Sequence, residues 1–246
     1  MKKMITFAML ASVANVASAQ EETKTFKMDG EFGLIATSGN TDTSSVKARL
    51  SANHELENWS NEYLIEGLYK QDEVEISDGV EETQTTAQKY FFSAQGNYKL
   101  ENPDNRLFAY ASYEDDRFSS FEYQATVAGG WNSVAFKTED QSLSYSIGPG
   151  YGFSETTEGE DTSSLIVRAA ANYDWTISST ASFKQVVSTE IGSDNTKSRS
   201  ESSVSAKIGE SLSMKFSIIL NHNSDVADDR ENLDTETAAT LVYTFF

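Results

Sequence analysis

The chain has no cysteine, and only two prolines and two histidines, in 246 residues. Without a thiol it can build neither a disulfide framework nor a thiolate metal site. Pro103 and Pro149 stand alone, and no Gly/Ser run or shift of composition marks a linker. With His54 and His222 the only imidazoles, there is no zincin spacing; a phosphate-binding glycine loop and a basic-aromatic nucleic-acid stripe are missing too. Long apolar runs are also missing. The longest, Met4 to Val16, falls short of the ~20 residues a spanning helix needs, so any membrane crossing must use strands.

What is present begins with an export signal. Met1-Lys2-Lys3, the apolar stretch and Ala17-Ser18-Ala19 together mark residues 1–19 for removal and make Gln20 the first mature residue. The exported chain then carries 17 basic against 38 acidic residues, a net charge of −21. That excess repels nucleic acid and anionic membrane surfaces and attracts cations. Residues 20–246 read as one domain, since all-β barrels of this size form a single unit.

Apolar and polar side chains alternate with period two along most of that domain, which gives each strand one greasy face. Phe26, Met28, Phe32, Leu34 and Ala36 oppose Lys27, Asp29 and Glu31. Val46, Ala48, Leu50, Ala52 and Leu56 oppose Lys47, Arg49, Asn53 and Glu55, and Tyr90, Phe92, Ala94, Tyr98 and Leu100 oppose Lys89, Ser93, Gln95, Asn97 and Lys99. The pattern returns in Tyr123 to Trp131, Leu143 to Phe153, Leu165 to Trp175, Leu212 to Leu220 and the aromatic ending Ala239 to Phe246. Less regular stretches near 61–70, 107–114, 181–190 and 198–208 complete about twelve strands.

Connection lengths alternate as well. Tight turns are expected at 57–61, 101–106, 137–141, 178–180 and 209–211, and longer loops between them, notably at 71–85, 154–162 and 223–235. Short turns on one side, long loops on the other and both termini on the short side describe an up-and-down outer-membrane barrel with periplasmic turns. Trp59, Trp131 and Trp175 all fall near the tight-turn side, where an aromatic girdle belongs. A soluble barrel would show the same alternation with its apolar face inward; the export signal, the strand length and the aromatic terminus favour the outward choice. Pro149, in Gly148-Pro149-Gly150, cannot donate to a ladder and predicts a bulge.

Thr37-Ser38-Gly39-Asn40-Thr41-Asp42-Thr43, the Gly148-Pro149-Gly150-Tyr151 segment and the Leu241-Val242-Tyr243-Thr244-Phe245 ending resemble the YdiY-like, salt-induced outer membrane proteins, a family built on a domain of unknown function. The resemblance covers the mature chain. It implies an outer-membrane barrel and brings no established substrate or catalytic residue; the link to salt comes from it alone. The doubled Phe245-Phe246 departs from the usual ending and leaves open which ring meets lipid. Physically, residues 38–42 make a good reversal, because Gly and Asn tolerate positive φ and Ser and Asp side chains can satisfy turn amides.

Chemistry has three candidate locations. Carboxylates crowd the expected outer loops: Asp72, Glu73, Glu75, Asp78, Glu81 and Glu82; Glu155, Glu158, Glu160 and Asp161; Asp225, Asp228, Asp229, Glu231 and Asp234. They would enrich cations at a pore mouth or simply keep the loops solvated, and none has calcium-loop spacing, so no metal ligand or cofactor is assigned. The polar strand faces carry Lys47, Arg49, Lys89, Lys99, Arg168, Lys184 and Lys215 with Asp29, Glu31, Glu66, Asp174 and Glu190. In a lumen these would line a narrow aqueous path or pair into ladders that plug it. Third, His222-Asn223-Ser224 places a His and a Ser on the lipid face, as in outer-membrane phospholipases, with Asn221 or Asn223 as an orienting group; the neighbouring sequence does not otherwise resemble that family.

The expectation is an all-β, antiparallel, up-and-down transmembrane β-barrel, monomeric and surrounded by outer-membrane lipid. It is read as a non-enzyme: a passive, cation-tolerant passage for small solutes, or an envelope protein of salt adaptation. A plugged structural or ligand-binding barrel is the alternative, and a surface phospholipase using His222 and Ser224 the outsider.

Overall fold

A computed structural model describes residues 26–37, 43–77, 80–117, 119–226 and 231–245; the expected export signal, the Ser38–Asp42 reversal and Phe246 lie outside them. Twelve strands follow one another: β1 (Phe26–Thr37), β2 (Thr43–Glu55), β3 (Trp59–Ser77), β4 (Val80–Lys99), β5 (Asn105–Asp116), β6 (Phe121–Lys137), β7 (Gln141–Thr156), β8 (Asp161–Thr176), β9 (Ala181–Gly192), β10 (Thr196–Lys207), β11 (Leu212–Asn223) and β12 (Leu233–Thr244). Each pairs antiparallel with its sequence neighbours, and β12 returns to β1 to close the barrel.

The two faces are sorted inside out relative to a soluble protein. Leu165 is 76% exposed on the outer surface, whereas Glu66 is 4% exposed inside. Phe32, Phe92, Ile147, Met214 and Phe216 share the outer belt, while Lys47, Asn97, Arg168 and Glu201 are buried. A closed sheet with greasy side chains outward satisfies its backbone within itself and suits hydrocarbon surroundings.

The tight turns fall at 56–58, 100–104, 138–140, 177–180 and 208–211, close to their expected places. The opposite side differs from expectation. Residues 71–77 and 80–85 continue β3 and β4, leaving only 78–79 between them, and β7 and β8 likewise extend to Thr156 and from Asp161. Asymmetry is therefore built from strand overhang more than from loop length; the polar alternation of Gln71 to Thr85 had hidden a ladder that stands clear of the apolar belt. The 224–232 connection remains long.

Pro149 also corrects the reading. β7 keeps one register against β8 through Gly148↔Arg168, Pro149↔Val167 and Gly150↔Ile166; against β6 the ladder is interrupted between Ala128↔Gly150 and Trp131↔Ile147 without a change of register, and the register shifts lie elsewhere, at Lys70/Gln71, Glu75/Ser77, Phe121/Tyr123 and Val134/Phe136. Flanking glycines let β6 and β7 come so close that a Cβ on Gly148 would stand 2.2 Å from the Gly129 carbonyl oxygen. Trp59 opens β3, Trp175 nearly closes β8, and Trp131 sits within β6 opposite Leu107 rather than at its end. All three face outward. Phe245 is exposed beside Tyr243 on the outer face, their rings 5.0 Å apart.

Strands β9 and β10 looked irregular because their outward positions include Gln185, Thr189, Ser198, Ser200 and Ser202. These satisfy one another: Thr189 and Ser198 hydroxyls lie 2.9 Å apart, and the Gln185 amide donates to Ser200 over 3.0 Å.

Candidate functional site

The barrel interior holds a lattice of ion pairs. Inward positions of β1, β2, β3, β10, β11 and β12 bring Glu31, Glu66, Glu201 and Glu236 among Lys47, Arg49, Arg199 and Lys215. Glu66 has Arg199 at 3.2 Å, Arg49 at 3.7 Å and Lys47 at 3.9 Å. Glu201 has Arg49 at 2.6 Å, Lys215 at 3.1 Å and Arg199 at 3.5 Å. Lys215 also reaches Glu31 at 3.0 Å, and Lys47 pairs with Glu236. Opposite charges balance, as buried ions require.

Several of these contacts cross the lumen. β3 and β10 are five strands apart around the wall, yet Arg199 meets Glu66. Lys197 of β10 likewise meets Glu114 of β5 at 3.0 Å, and Lys89 holds the same carboxylate at 3.0 Å with Asp116 at 3.6 Å. Arg168 of β8 lies over the Tyr110 ring of β5, with its Nε 3.4 Å from Glu190, which accepts from the Thr126 hydroxyl at 2.7 Å. Above the main lattice, at the loop end, opens a cavity of about 580 Å³ whose charged lining includes Lys47, Lys70, Lys89, Asp116, Asp234 and Glu236.

The structure brings together Lys47, Arg49, Lys89, Arg168, Lys215, Glu31, Glu66 and Glu190 from the expected lumen set. Others sit apart at the turn end: Lys99 pairs with Glu55 at 2.6 Å, Lys184 with Asp174 at 3.5 Å, and Asp29 accepts from the Thr244 hydroxyl at 2.6 Å. Sequence reasoning missed Glu114, Lys197, Arg199, Glu201 and Glu236. For the three on β10 the signal was the alternation of charge in Lys197, Arg199 and Glu201, masked by the serines between them.

The outer carboxylates are dispersed. Asp72 is paired with Lys70 at 2.7 Å, and Glu158, Glu160, Asp161, Asp225, Glu231 and Asp234 are exposed; among the described residues no three acidic or imidazole groups converge as a metal site would require. Asp78, Asp228 and Asp229 lie outside the described residues.

The His222-Ser224 arrangement is not assembled for nucleophilic attack. Ser224 Oγ accepts from the Thr196 amide at 2.8 Å and donates to Asn195 Oδ1 at 3.2 Å, which ties it to a neighbouring turn. Asn221 accepts from Arg199 and Asn223 from Gln124 and Asn195. Both asparagines therefore engage the lumen side or the loop end rather than the ring of His222.

Comparison with known proteins agrees with this architecture. The family model described as "Protein of unknown function, DUF481" matches residues 30–245. The chain is 24% identical over 221 residues to the uncharacterized protein YdiY of Escherichia coli strain K12, covering 89% of this chain and 83% of that one. Among solved structures, the NanC porin superposes with a TM-score of 0.52 at 12% identity, over 89% of this chain and all of that one. An outer membrane channel from Pseudomonas putida F1 gives 0.47 at 8% identity, over 89% and 93%. No catalytic family is indicated; the likeness to porins is one of fold, and the protein is an outer-membrane β-barrel.

Proposed function

The chain belongs to the DUF481 family, and from that premise we propose that it is a narrow passage for small solutes, closed at rest by its own ion pairs and loosened as ionic strength rises. One observation carries this reading: Arg199 spans the lumen to Glu66 at 3.2 Å. Such a contact obstructs a large solute, yet it is made of two side chains that can swing aside rather than of backbone.

Salt supplies the means. The screening length falls from about 10 Å at 0.1 M to about 3 Å at 1 M, and because buried charges are screened less than exposed ones the effect acts through the part-exposed cations Arg199 and Lys197 more than through Glu66. Mobile ions then compete for both members of each pair. Because the lattice balances its charges, the lumen itself has little preference for either sign, and a modest cation preference comes from the acidic outer rim. The protein works as a monomer in this reading and is not an enzyme.

Planar-bilayer recordings over 0.1–1 M salt test it. Conductance should rise more steeply than that of bulk electrolyte, and proportional conductance would remove the gating idea. Silence at every concentration would favour the second reading, a permanently plugged barrel, which the number of cross-lumen pairs also supports.

A further inference from the structure

The cavity above the ion-pair lattice has its charges sorted along the wall. Its lining runs from β11 and β12 through β1, β2, β3 and β4 to β5, strands that follow one another around the barrel. Lysines hold the middle of this arc, Lys47 on β2, Lys70 on β3 and Lys89 on β4. Carboxylates hold its two ends, Asp234 and Glu236 on β12 and Asp116 on β5. Three ammonium groups are thus flanked by three carboxylates, and among the described residues the lining has no net charge.

Depth separates these groups as well. At the floor Lys47 is buried, its ammonium shared between Glu236 and, at 3.9 Å, Glu66 of the lattice. At the mouth Asp234 is exposed, and the Lys70 side chain is 41% exposed. Lys70 rests against Asp72 at 2.7 Å, a carboxylate that also accepts from the Thr86 hydroxyl at 2.7 Å. Between the charged positions Leu68, Ala87 and Ala238 give the wall an apolar surface.

We propose that this cavity binds a small zwitterionic solute from the outer side, a molecule of about dipeptide size with an ammonium and a carboxylate on one short skeleton. The pairing of the lining selects that class. A simple anion would take Lys47 or Lys89 from its carboxylate and strand the carboxylate in a poorly solvated place, and a simple cation would strand the lysine. A zwitterion replaces both halves of a pair at once, its carboxylate among the lysines and its ammonium toward Asp234 and Glu236. The volume of about 580 Å³ holds such a molecule with its skeleton against the apolar wall. Lys47 belongs to the cavity and to the lattice, so a carboxylate bound there draws on the ammonium that Glu66 uses and loosens the upper edge of the plug. The inference deepens the reading of a solute passage by naming the solute class, but the binding step needs no current.

Equilibrium dialysis of the detergent-solubilised barrel at 0.1 M salt tests it, with three radiolabelled probes: alanyl-alanine, its N-acetyl derivative and its C-terminal amide. The first is a zwitterion at neutral pH, the second an anion and the third a cation. Alanyl-alanine should bind at least fivefold more tightly than either relative. Lys70→Gln and Asp234→Asn alter the mouth and leave the lattice in place. Lys70→Gln should weaken alanyl-alanine at least fivefold and remove its advantage over the amide, and Asp234→Asn should remove its advantage over the acetylated form. Equal affinity for the three probes, no binding of any, or wild-type binding by both variants overturns the proposal; should a variant fail to fold, the ranking of the probes on the wild-type protein decides alone. Single-channel current separates the two readings: alanyl-alanine binding without current removes the passage and keeps the site, whereas current without binding removes the site.

Discussion

The guanidinium of Arg168 lies 3.6 Å from the centre of the Tyr110 ring although β6 and β7 stand between their strands. What permits this is the wall beneath. Toward β5 the β7 partner of Arg168 is Gly148, and a Cβ there would stand 2.7 Å from the Gly130 Cα, so these two positions put no side chain between the arginine and the ring. The same glycines let the two backbones meet, and stacking on the ring offsets part of the cost of burying the cation.

Gly148→Ala should destabilise the barrel. The new Cβ would stand 2.2 Å from the Gly129 oxygen and 2.7 Å from the Gly130 Cα, both backbone atoms that cannot swing away. Overpacking costs about 1–3 kcal/mol, and this geometry calls for the upper end. A lowered midpoint in urea, with the folded form monitored by heat-modifiable gel migration, measures it; an unchanged midpoint would mean the strands separate freely.

Arg199→Ala should open the lumen and weaken the fold together. It leaves Glu66 and Glu201 one cation short, and breaking a buried pair costs about 3–5 kcal/mol. Single-channel conductance should increase, and Arg199→Lys should restore stability in part while missing the fork geometry of the guanidinium. Equal conductance in all three proteins would mean that the bridge does not obstruct the path.

The three tryptophans should be quenched by lipids brominated on the acyl chain. Trp59, Trp131 and Trp175 are 44%, 40% and 38% exposed on the outer surface near the turn end. Quenching should be strongest for bromines placed close to the head group, where indoles settle. Protection of Trp131 or Trp175 from every brominated lipid would turn the barrel inside out.

Purified protein should show no turnover of phospholipid, and His222→Ala and Ser224→Ala should leave that blank unchanged. Ser224→Ala should instead loosen the tie to Asn195 and Thr196, read as faster amide exchange in residues 193–196. Hydrolysis abolished by both substitutions would restore the surface-enzyme reading.

Much of the architecture was legible in the order of residues. Alternation in Val46 to Leu56 and Tyr90 to Leu100 identified both faces of β2 and β4, because the strand period is fixed by backbone geometry and does not depend on neighbours. Turn positions were equally clear. The 71–85 segment was not, since polar residues alternate with polar residues where a strand leaves the lipid belt. Serines on β10 concealed the inward charges of Lys197, Arg199 and Glu201 for the opposite reason: the outward face had lost its apolar mark.

The chain by itself determined that it would form strands with one lipid-facing side, close on an aromatic ending and put ions on the other side. Only the closed fold decided which charges meet. Glu66 and Arg199, 133 residues apart, become partners through the curvature of twelve strands, and the short β1–β12 ladder exists only once the first strand meets the last. Local periodicity is written residue by residue, whereas registry across a lumen depends on how the whole wall closes.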